Sequence, residues 1–476
     1  MASVFYREGE IKKRPGVYQR HSNSGAPVET IGAQDGICAI PVQAAWGPLG
    51  VVVKNINIGD PEKNYGKGTY GAGYTVPAAV EMFRGGASVV YTYRMGTGGA
   101  QATMTADGMT VAAKYVGTMP IAIAIKEKLG DPTKKQILVY ADGVLVETFD
   151  FKADGENEGA NLIAKIAESK YITITAETAP ATVTPVAVAA GALTGGENPT
   201  VTNEDYSKAF NALEPYYINT IALDVDDDEN LTLSRLMQAY LENAYQLGKL
   251  GIIVTGEKTS VDFDTRCKHA AAFNDPKVVY LGNGYVNSNG EKIEGVMAIC
   301  RTAGVIASTP SNRGITHTAI SDAVDLIEPL TYAQYEQAVD NGVLLFSMSP
   351  DGQVWFDTAI NTLVDPDVKE LDDGWKKIRR VKVRFEMIDR EDRALAPKVG
   401  RITCDTDGVA DVIQTGQRIL DLMVNERKLA PGATFVEDPA NPHQGDSAWF
   451  IIQADDLDSL EKIYLHYRFR YTSTNA

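Results

Sequence analysis

The chain has 476 residues, of which 44% are hydrophobic and 22% charged, and its formal net charge is −17. These values are typical of a soluble globular protein with several cores, and the negative charge argues against nonspecific nucleic-acid binding. No apolar run has the length of a membrane span, and the first residues lack a secretory signal. The four cysteines lack metal-ligand spacing and are too sparse for a disulfide framework, which favours folding in a reducing cytoplasm.

The N-terminal 20 residues carry charge and turn signals but little apolar periodicity. We interpret residues 1–20 as an extended arm, which could reach roughly 60 Å; a disordered tail is the alternative. Two short apolar runs within residues 31–54 predict strands. Residues 76–84 predict a helix that ends at a Gly-Gly pair, and residues 88–94 predict a strand.

Two glycine-rich joints flank a stretch of different composition. Residues 100–190 are rich in Ala, Thr and Val and poor in aromatic residues. Alternating runs predict strands at 121–125, 136–140, 144–151 and 171–175, and a short helix is predicted over 159–169. We interpret residues 97–196 as an inserted, mostly-β domain. Its predicted hinges are Gly96, Gly98, Gly99, Gly195 and Gly196.

After residue 200, strand and helix patterns alternate, which predicts an α/β layer with a parallel sheet. Thr202 to Asp205 has the pattern of a capping box, which opens a helix to about residue 213. Further helices are predicted at 231–247, 260–273 and 332–341. Further strands are predicted at 217–223, 250–254, 277–281 and 343–347.

The C-terminal third predicts two long helices, over 376–393 and 408–428, and a strand over 448–453. Residues 463–471 then alternate strictly, with Ile463, Leu465, Tyr467, Phe469 and Tyr471 on one face. This pattern is typical of a half-buried strand. Because an open apolar strand recruits another chain, we expect this one to be covered within its own fold or paired with another chain.

The helix predicted over 376–393 is basic within an acidic chain. Its cations include Lys376, Lys377, Arg379, Arg380 and Arg384, beside an apolar stripe at helical spacing. A solvated charged face is the usual explanation of such a run. The alternative is a docking face for an acidic partner surface.

Motifs that would support catalysis are weak. Gly66 to Gly71 matches G-x-G-x-x-G, but loop-like residues precede it and a Gly-Gly break follows, so a turn is favoured over a dinucleotide site. Asp224 to Glu229 departs from a calcium loop at the required glycine, so an acidic loop is favoured. Carboxylate pairs such as Asp455-Asp456 are interpreted as solvated loop charge. No catalytic, cofactor-binding or metal-binding residue is therefore predicted.

An ordered set of motifs, spread over nearly the whole chain, resembles the sheath proteins of contractile phage tails and related phage-tail-like particles. The motifs are Pro15–Tyr18, Gly36–Val42 followed by Trp46–Pro48, Phe83–Gly86 through Arg94, Leu193–Gly196 followed by Asp205 and Tyr206, Ile360–Leu363, and Asp458–Tyr464. With the patterns above, the resemblance implies an α/β core (21–96 plus 197–350), the inserted mostly-β domain (97–196) on the outside, and a C-terminal α+β domain (351–476). The resemblance also implies that the C-terminal domain faces an inner tube and that both termini carry extended arms.

The resemblance also implies a function. The chain would be a structural subunit, not an enzyme, that stacks as hexameric rings around an inner tube and contracts to drive the tube through a cell envelope. Its partners would be further copies, the inner tail tube protein, and baseplate and tail terminator proteins, without nucleic acid or membrane insertion. It would belong to a virion tail or phage-tail-like particle assembled in the bacterial host cytoplasm.

Two surfaces follow from this implied function. Strand pairing between subunits is expected at Pro15, Val17 and Tyr18 and along the apolar face of residues 463–471. Tube contact is expected at Lys376, Lys377, Arg379, Arg380 and Arg384. The alternatives are a nucleotide-dependent enzyme that uses Gly66–Gly71, or another self-assembling shell protein.

Overall fold

The computed structural model describes residues 35–71, 73–153, 155–227 and 231–470, together with the backbone of residues 4–5 and 18–19. The strands are β1 (Val4–Phe5), β2 (Tyr18–Gln19), β3 (Ile37–Val42), β4 (Val52–Asn55), β5 (Val89–Arg94), β6 (Thr103–Ala106), β7 (Met109–Ala113), β8 (Ile121–Glu127), β9 (Lys134–Ala141), β10 (Val144–Lys152), β11 (Ile172–Ala176), β12 (Val188–Ala192), β13 (Thr220–Ile221), β14 (Ile252–Gly256), β15 (Val278–Leu281), β16 (Tyr285–Asn287), β17 (Lys292–Ile293), β18 (Ala323–Leu326), β19 (Val343–Leu344), β20 (Phe346–Met348), β21 (Val354–Phe356), β22 (Thr434–Glu437) and β23 (Phe450–Gln453). The α-helices are α1 (Asp60–Tyr65), α2 (Val76–Arg84), α3 (Glu158–Ile166), α4 (Asn203–Leu213), α5 (Thr232–Gln246), α6 (Phe263–Phe273), α7 (Val296–Ser308), α8 (Tyr332–Asp340), α9 (Ile378–Leu395) and α10 (Thr406–Asn425). Among these helices, none is both long and apolar enough to cross a membrane.

A seven-stranded sheet forms the centre of the molecule. Its strand order is β19-β15-β14-β13-β3-β5-β4, and every neighbouring pair is parallel except β5 and β4. The strands are apolar on both faces: in β3, Cys38 and Ile40 pack on one side and Ala39 on the other. Such a sheet needs helices on both faces; α2 and α7 line the first, and α4, α5 and α6 the second. The predicted parallel α/β layer is therefore confirmed.

Helix α7 is a long element that the sequence patterns do not indicate. Nearly all of its side chains are buried, and a helix that is apolar all round has no amphipathic stripe for periodicity to reveal. Its N-terminus is held by Asp226, whose Oδ1 accepts from the Val296 N–H at 3.0 Å. Gly304 allows the close approach of α2, because a Cβ there would overlap the Met82 carbonyl.

The segment between β5 and α4 forms two antiparallel sheets of its own, with strand orders β10-β9-β8-β12 and β11-β7-β6. Both sheets and helix α3 contribute to one apolar core, which also receives Trp46 from the loop after β3. The ring of Trp46 stacks on Tyr171 with the centroids 5.7 Å apart. The four strands predicted here are confirmed as β8 to β11, and β6, β7 and β12 are additional.

The C-terminal part combines the paired helices α9 and α10 with the antiparallel hairpin β22–β23. Phe435 of β22 is 2% exposed and lies against α10 at Gly416, where a Cβ would overlap its ring. Helix α9 begins at Ile378, after a 3₁₀ turn at Asp373–Lys376. The predicted helix over 376–393 is therefore confirmed with a shift of two residues, and Lys376 and Lys377 precede it.

The last predicted strand does not form in the single chain. Residues 463–470 lie in no strand and are exposed, and the exposed fraction of their large apolar side chains runs from 68% for Leu465 to 91% for Phe469. The prediction of a strand is wrong for residues 463–470 of the single chain, because no strand among the described residues lies beside them to complete the ladder. Within the described part of the chain, residues 463–470 are therefore not covered, whereas coverage was the first of the two expected outcomes.

Candidate assembly interface

The hairpin β22–β23 is a two-stranded sheet whose outer edges have no partner strand within the described residues. One face packs on α10 through Phe435, whose ring lies 5.3 Å from that of Phe450. The other face exposes Val436 and Ile451. A two-stranded sheet with open edges and an apolar outer face is a surface to which further strands can add.

The C-terminal segment is the second part of the site. Residues 462–470 are exposed throughout, and the apolar side chains Ile463, Leu465, Tyr467 and Phe469 all face solvent. Tyr471 of the predicted strand face, like Pro15 and Val17 of the N-terminal arm, lies outside the described residues. Tyr18 begins β2, which pairs in parallel with β1 in register Val4↔Tyr18. The pairing of these segments with other subunits stays a prediction.

Residues 455–461 hold the start of that segment against α9. The side chain of Asp456 is 7% exposed and accepts hydrogen bonds from Arg380 through Nε (2.5 Å) and Nη2 (2.9 Å) and from Arg384 Nη2 (3.0 Å). Burial favours the neutral acid, but the hydrogen bonds from the two arginines outweigh it and lower the pKa of Asp456. The interpretation of this carboxylate as solvated loop charge is therefore wrong. Its partners lie more than 70 residues away in sequence, where charge spacing gives no signal.

The five cations predicted to face a tube have partners within the chain. Arg380 and Arg384 hold Asp456, and Lys377 pairs with Glu461. Arg379 is buried and reaches Ser459 Oγ at 3.4 Å, while Lys376 pairs with the exposed Asp373 at 3.0 Å. The expectation of a solvated basic face is thus wrong for Arg379, and most of this charge fixes the chain's own C-terminal segment. Tube contact at these residues stays a prediction.

The two glycine-rich joints run side by side as a neck. Thr97 pairs with Thr200, Ala100 with Glu197, and Thr103 with Thr194, all antiparallel. The predicted hinges Gly96, Gly98, Gly99 and Gly195 adopt positive φ, and a Cβ on Gly196 would overlap the Gly117 carbonyl. Glycine is therefore needed at this neck for left-handed backbone and close approach, and hinge motion there stays a prediction.

The weak chemical motifs have structural roles. Gly66–Gly71 follows helix α1 rather than a strand, and Gly71 and Tyr74 exchange both backbone hydrogen bonds, as in a turn. Asp224 is buried rather than in a solvated loop; it accepts from Thr75 Oγ1 (2.6 Å) and Tyr206 OH (2.8 Å), and burial raises its pKa to about 6. Among the described residues, no cluster of His, Cys, Asp and Glu has the arrangement of a metal site.

Comparison with known proteins shows a similarity to phage tail sheath proteins. Residues 200–362, which span β13 to β21, match the family model of the phage tail sheath protein central domain. The chain is 25% identical over 378 residues to YqbK of Bacillus subtilis, covering 75% of this chain and 74% of that protein. It is 22% identical over 366 residues to XkdK, a protein of the phage-like element PBSX of the same organism, covering 75% of each.

Solved structures have the same fold. The sheath tail protein of Desulfitobacterium hafniense superposes with a TM-score of 0.69 at 20% identity, over 93% of this chain and all of that one. The sheath tail protein of Listeria innocua gives 0.68 at 19% identity, over 90% and 96%. The contracted helical sheath of the anti-feeding prophage gives 0.53 at 11% identity, over 96% and 99%. Residues 200–362 thus match the model of a phage tail sheath central domain, the chain has the fold of the solved sheath tail proteins, and the resemblance seen in its motifs is confirmed.

Proposed function

We propose that this chain is the structural subunit of a contractile tail sheath. It polymerises as stacked hexameric rings around an inner tube and contracts to drive that tube through a target cell envelope. The observation that carries the proposal is the exposed apolar segment 463–470, on a chain with a sheath central domain and a hairpin with open edges. A segment whose apolar and polar side chains alternate, and which pairs with no strand of its own subunit, is suited to pair with a strand of another copy.

The free energies involved favour an assembly in which many subunits are linked by their arms over a single pair of linked subunits. Burying four large apolar side chains contributes about 1.5–3 kcal/mol each, whereas ordering eight residues costs about 1–2 kcal/mol each. One arm on one neighbour is therefore marginal, and backbone hydrogen bonds and repetition over many copies supply the rest. Contacts of this kind, between different surfaces of identical subunits, generate open helical assemblies.

The partners follow from the proposed role as a sheath subunit. The subunit contacts further copies, an inner tail tube protein, and baseplate and tail terminator proteins, in a particle assembled in the bacterial host cytoplasm. Similarity to chains of the anti-feeding prophage baseplate and of its contracted helical sheath supports a phage-tail-like particle.

Truncation after Lys462 tests the arm. Because residues 463–470 pack on nothing in the described subunit, we expect the truncated protein to keep the circular dichroism spectrum and melting temperature of the full chain while losing the ability to form striated tubes in negative-stain microscopy. The control is Leu129→Ser, which changes a fully exposed apolar side chain elsewhere. Normal striated tubes from the truncated protein would remove the arm from the assembly mechanism.

A further inference from the structure

We propose that residues 455–461 and the start of α9 form an electrostatic clasp that fixes the point at which the C-terminal arm, described here for residues 462–470, leaves the subunit. The clasp keeps the arm short and directed, and so sets how readily it reaches a second copy of this chain. This inference rests on the proposed function, since it gives the clasp a task in linking subunits.

The clasp is built from both backbone and side-chain contacts. The Ala430 N–H donates to the Asp455 carbonyl at 2.8 Å, and the Leu457 N–H donates to the Lys428 carbonyl at 2.9 Å. These two bonds lay the segment along the loop between α10 and β22. The arginine pair on Asp456 then fixes its other side against α9.

Glu461 closes the clasp from two separate parts of the chain. It pairs with Lys377, just before α9, and it accepts from Thr316 Oγ1 at 3.0 Å, in the loop after α7. The point at which the arm leaves is therefore attached both to the loop after α7 and to the start of α9. A force on the arm would act on both of these elements.

Contacts with the rest of the chain end abruptly after Glu461. Among the described residues, 462–470 form no hydrogen bond or ion pair with the rest of the chain and are all exposed, whereas Asp456 and Glu461 are largely covered. The chain is thus fixed through Glu461 and released from Lys462 onward.

The clasp has a calculable effect on tethering. When it is closed, about two residues separate the fixed Glu461 from the first apolar residue of the arm, Ile463. When it is open, the fixed point retreats to Gln453 at the end of β23, and the tether grows to about ten residues, with roughly 25 Å of added reach. Effective concentration falls with about the −3/2 power of tether length, so opening the clasp weakens arm capture roughly tenfold.

The test is the double variant Asp456→Asn with Glu461→Gln, which removes both charges with little change in shape. The matched control is Asp351→Asn, which removes one charge outside the clasp, since Asp351 is exposed in the turn between β20 and β21. Hydrogen exchange of the unassembled protein reports the clasp through the Leu457 and Ala430 amides. Sedimentation against protein concentration reports polymerisation.

We expect the Leu457 and Ala430 amides to exchange at least tenfold faster in the double variant and the concentration needed for polymerisation to rise roughly tenfold, with Asp351→Asn unchanged in both. Unchanged exchange would show that the contacts do not hold the segment and would overturn the clasp. Faster exchange with normal polymerisation would overturn its role in linking copies. Failure of the proposed function is seen separately, as normal tubes from the protein truncated after Lys462.

Discussion

Replacement of Gly416 by alanine tests how the hairpin β22–β23, the proposed acceptor of neighbouring arms, is held on α10. In a helix interior this change normally stabilises by about 1 kcal/mol. Here the new Cβ would overlap the Phe435 ring, which is buried and enclosed by Phe450 and so has no free space to enter. Overpacking of this kind costs about 1–3 kcal/mol, which offsets the gain, and we expect a net loss of up to about 2 kcal/mol in the free energy of unfolding.

Urea unfolding measures this change directly. The control is Gly59→Ala, where φ is −87° and nothing lies within 4 Å of the added Cβ, so stability should hold or rise slightly. Adding Phe435→Leu to Gly416→Ala should recover part of the loss, giving a coupling of at least about 0.5 kcal/mol. Stabilisation by Gly416→Ala, or strict additivity in the double variant, would refute the packing argument.

Two further predictions concern charge. Glu391 is 7% exposed, and burial raises the pKa of its carboxyl to about 7. The folded state therefore binds this proton more tightly than the unfolded chain does. The resulting stability is present below about pH 4.5 and is lost as pH rises through about 7. Glu391→Gln should therefore raise the melting temperature relative to the natural chain at pH 8 but not at pH 4.5, and an equal offset at both pH values would contradict this. Lys376→Glu breaks only an exposed pair with Asp373, so it should leave stability unchanged but weaken co-sedimentation with the tube protein, with Lys67→Glu as the control. Undiminished co-sedimentation would take Lys376 out of the tube contact.

Elements with strong local signals could be predicted from the sequence. Helix α2 has the predicted bounds 76–84, and α4 begins with the predicted capping box of Thr202 and Asp205. Both signals depend on neighbouring residues, through caps and periodic apolar faces. Helix α7 lacks them because its burial on all sides removes the period.

The sequence predicts the parts of the candidate site that depend on local patterns, but not those that depend on long-range contacts. The alternation of residues 463–471 predicted a strand, which residues 463–470 do not form in the single chain, because strand formation depends on a partner that the described residues do not supply. The basic run before and within α9 was visible, whereas its pairing with Asp456 and Glu461 depends on contacts 72 to 84 residues apart. Long-range ion pairs of this kind follow from the fold and cannot be read from spacing.

A cryo-electron microscopy reconstruction of the polymer formed by the purified full chain tests the central claim most directly. We expect a helical tube of stacked rings in which residues 463–470 form a strand on the hairpin β22–β23 of a different subunit. Closed shells or monomers under the same conditions, or a tube in which these residues pair with no other copy, would contradict it.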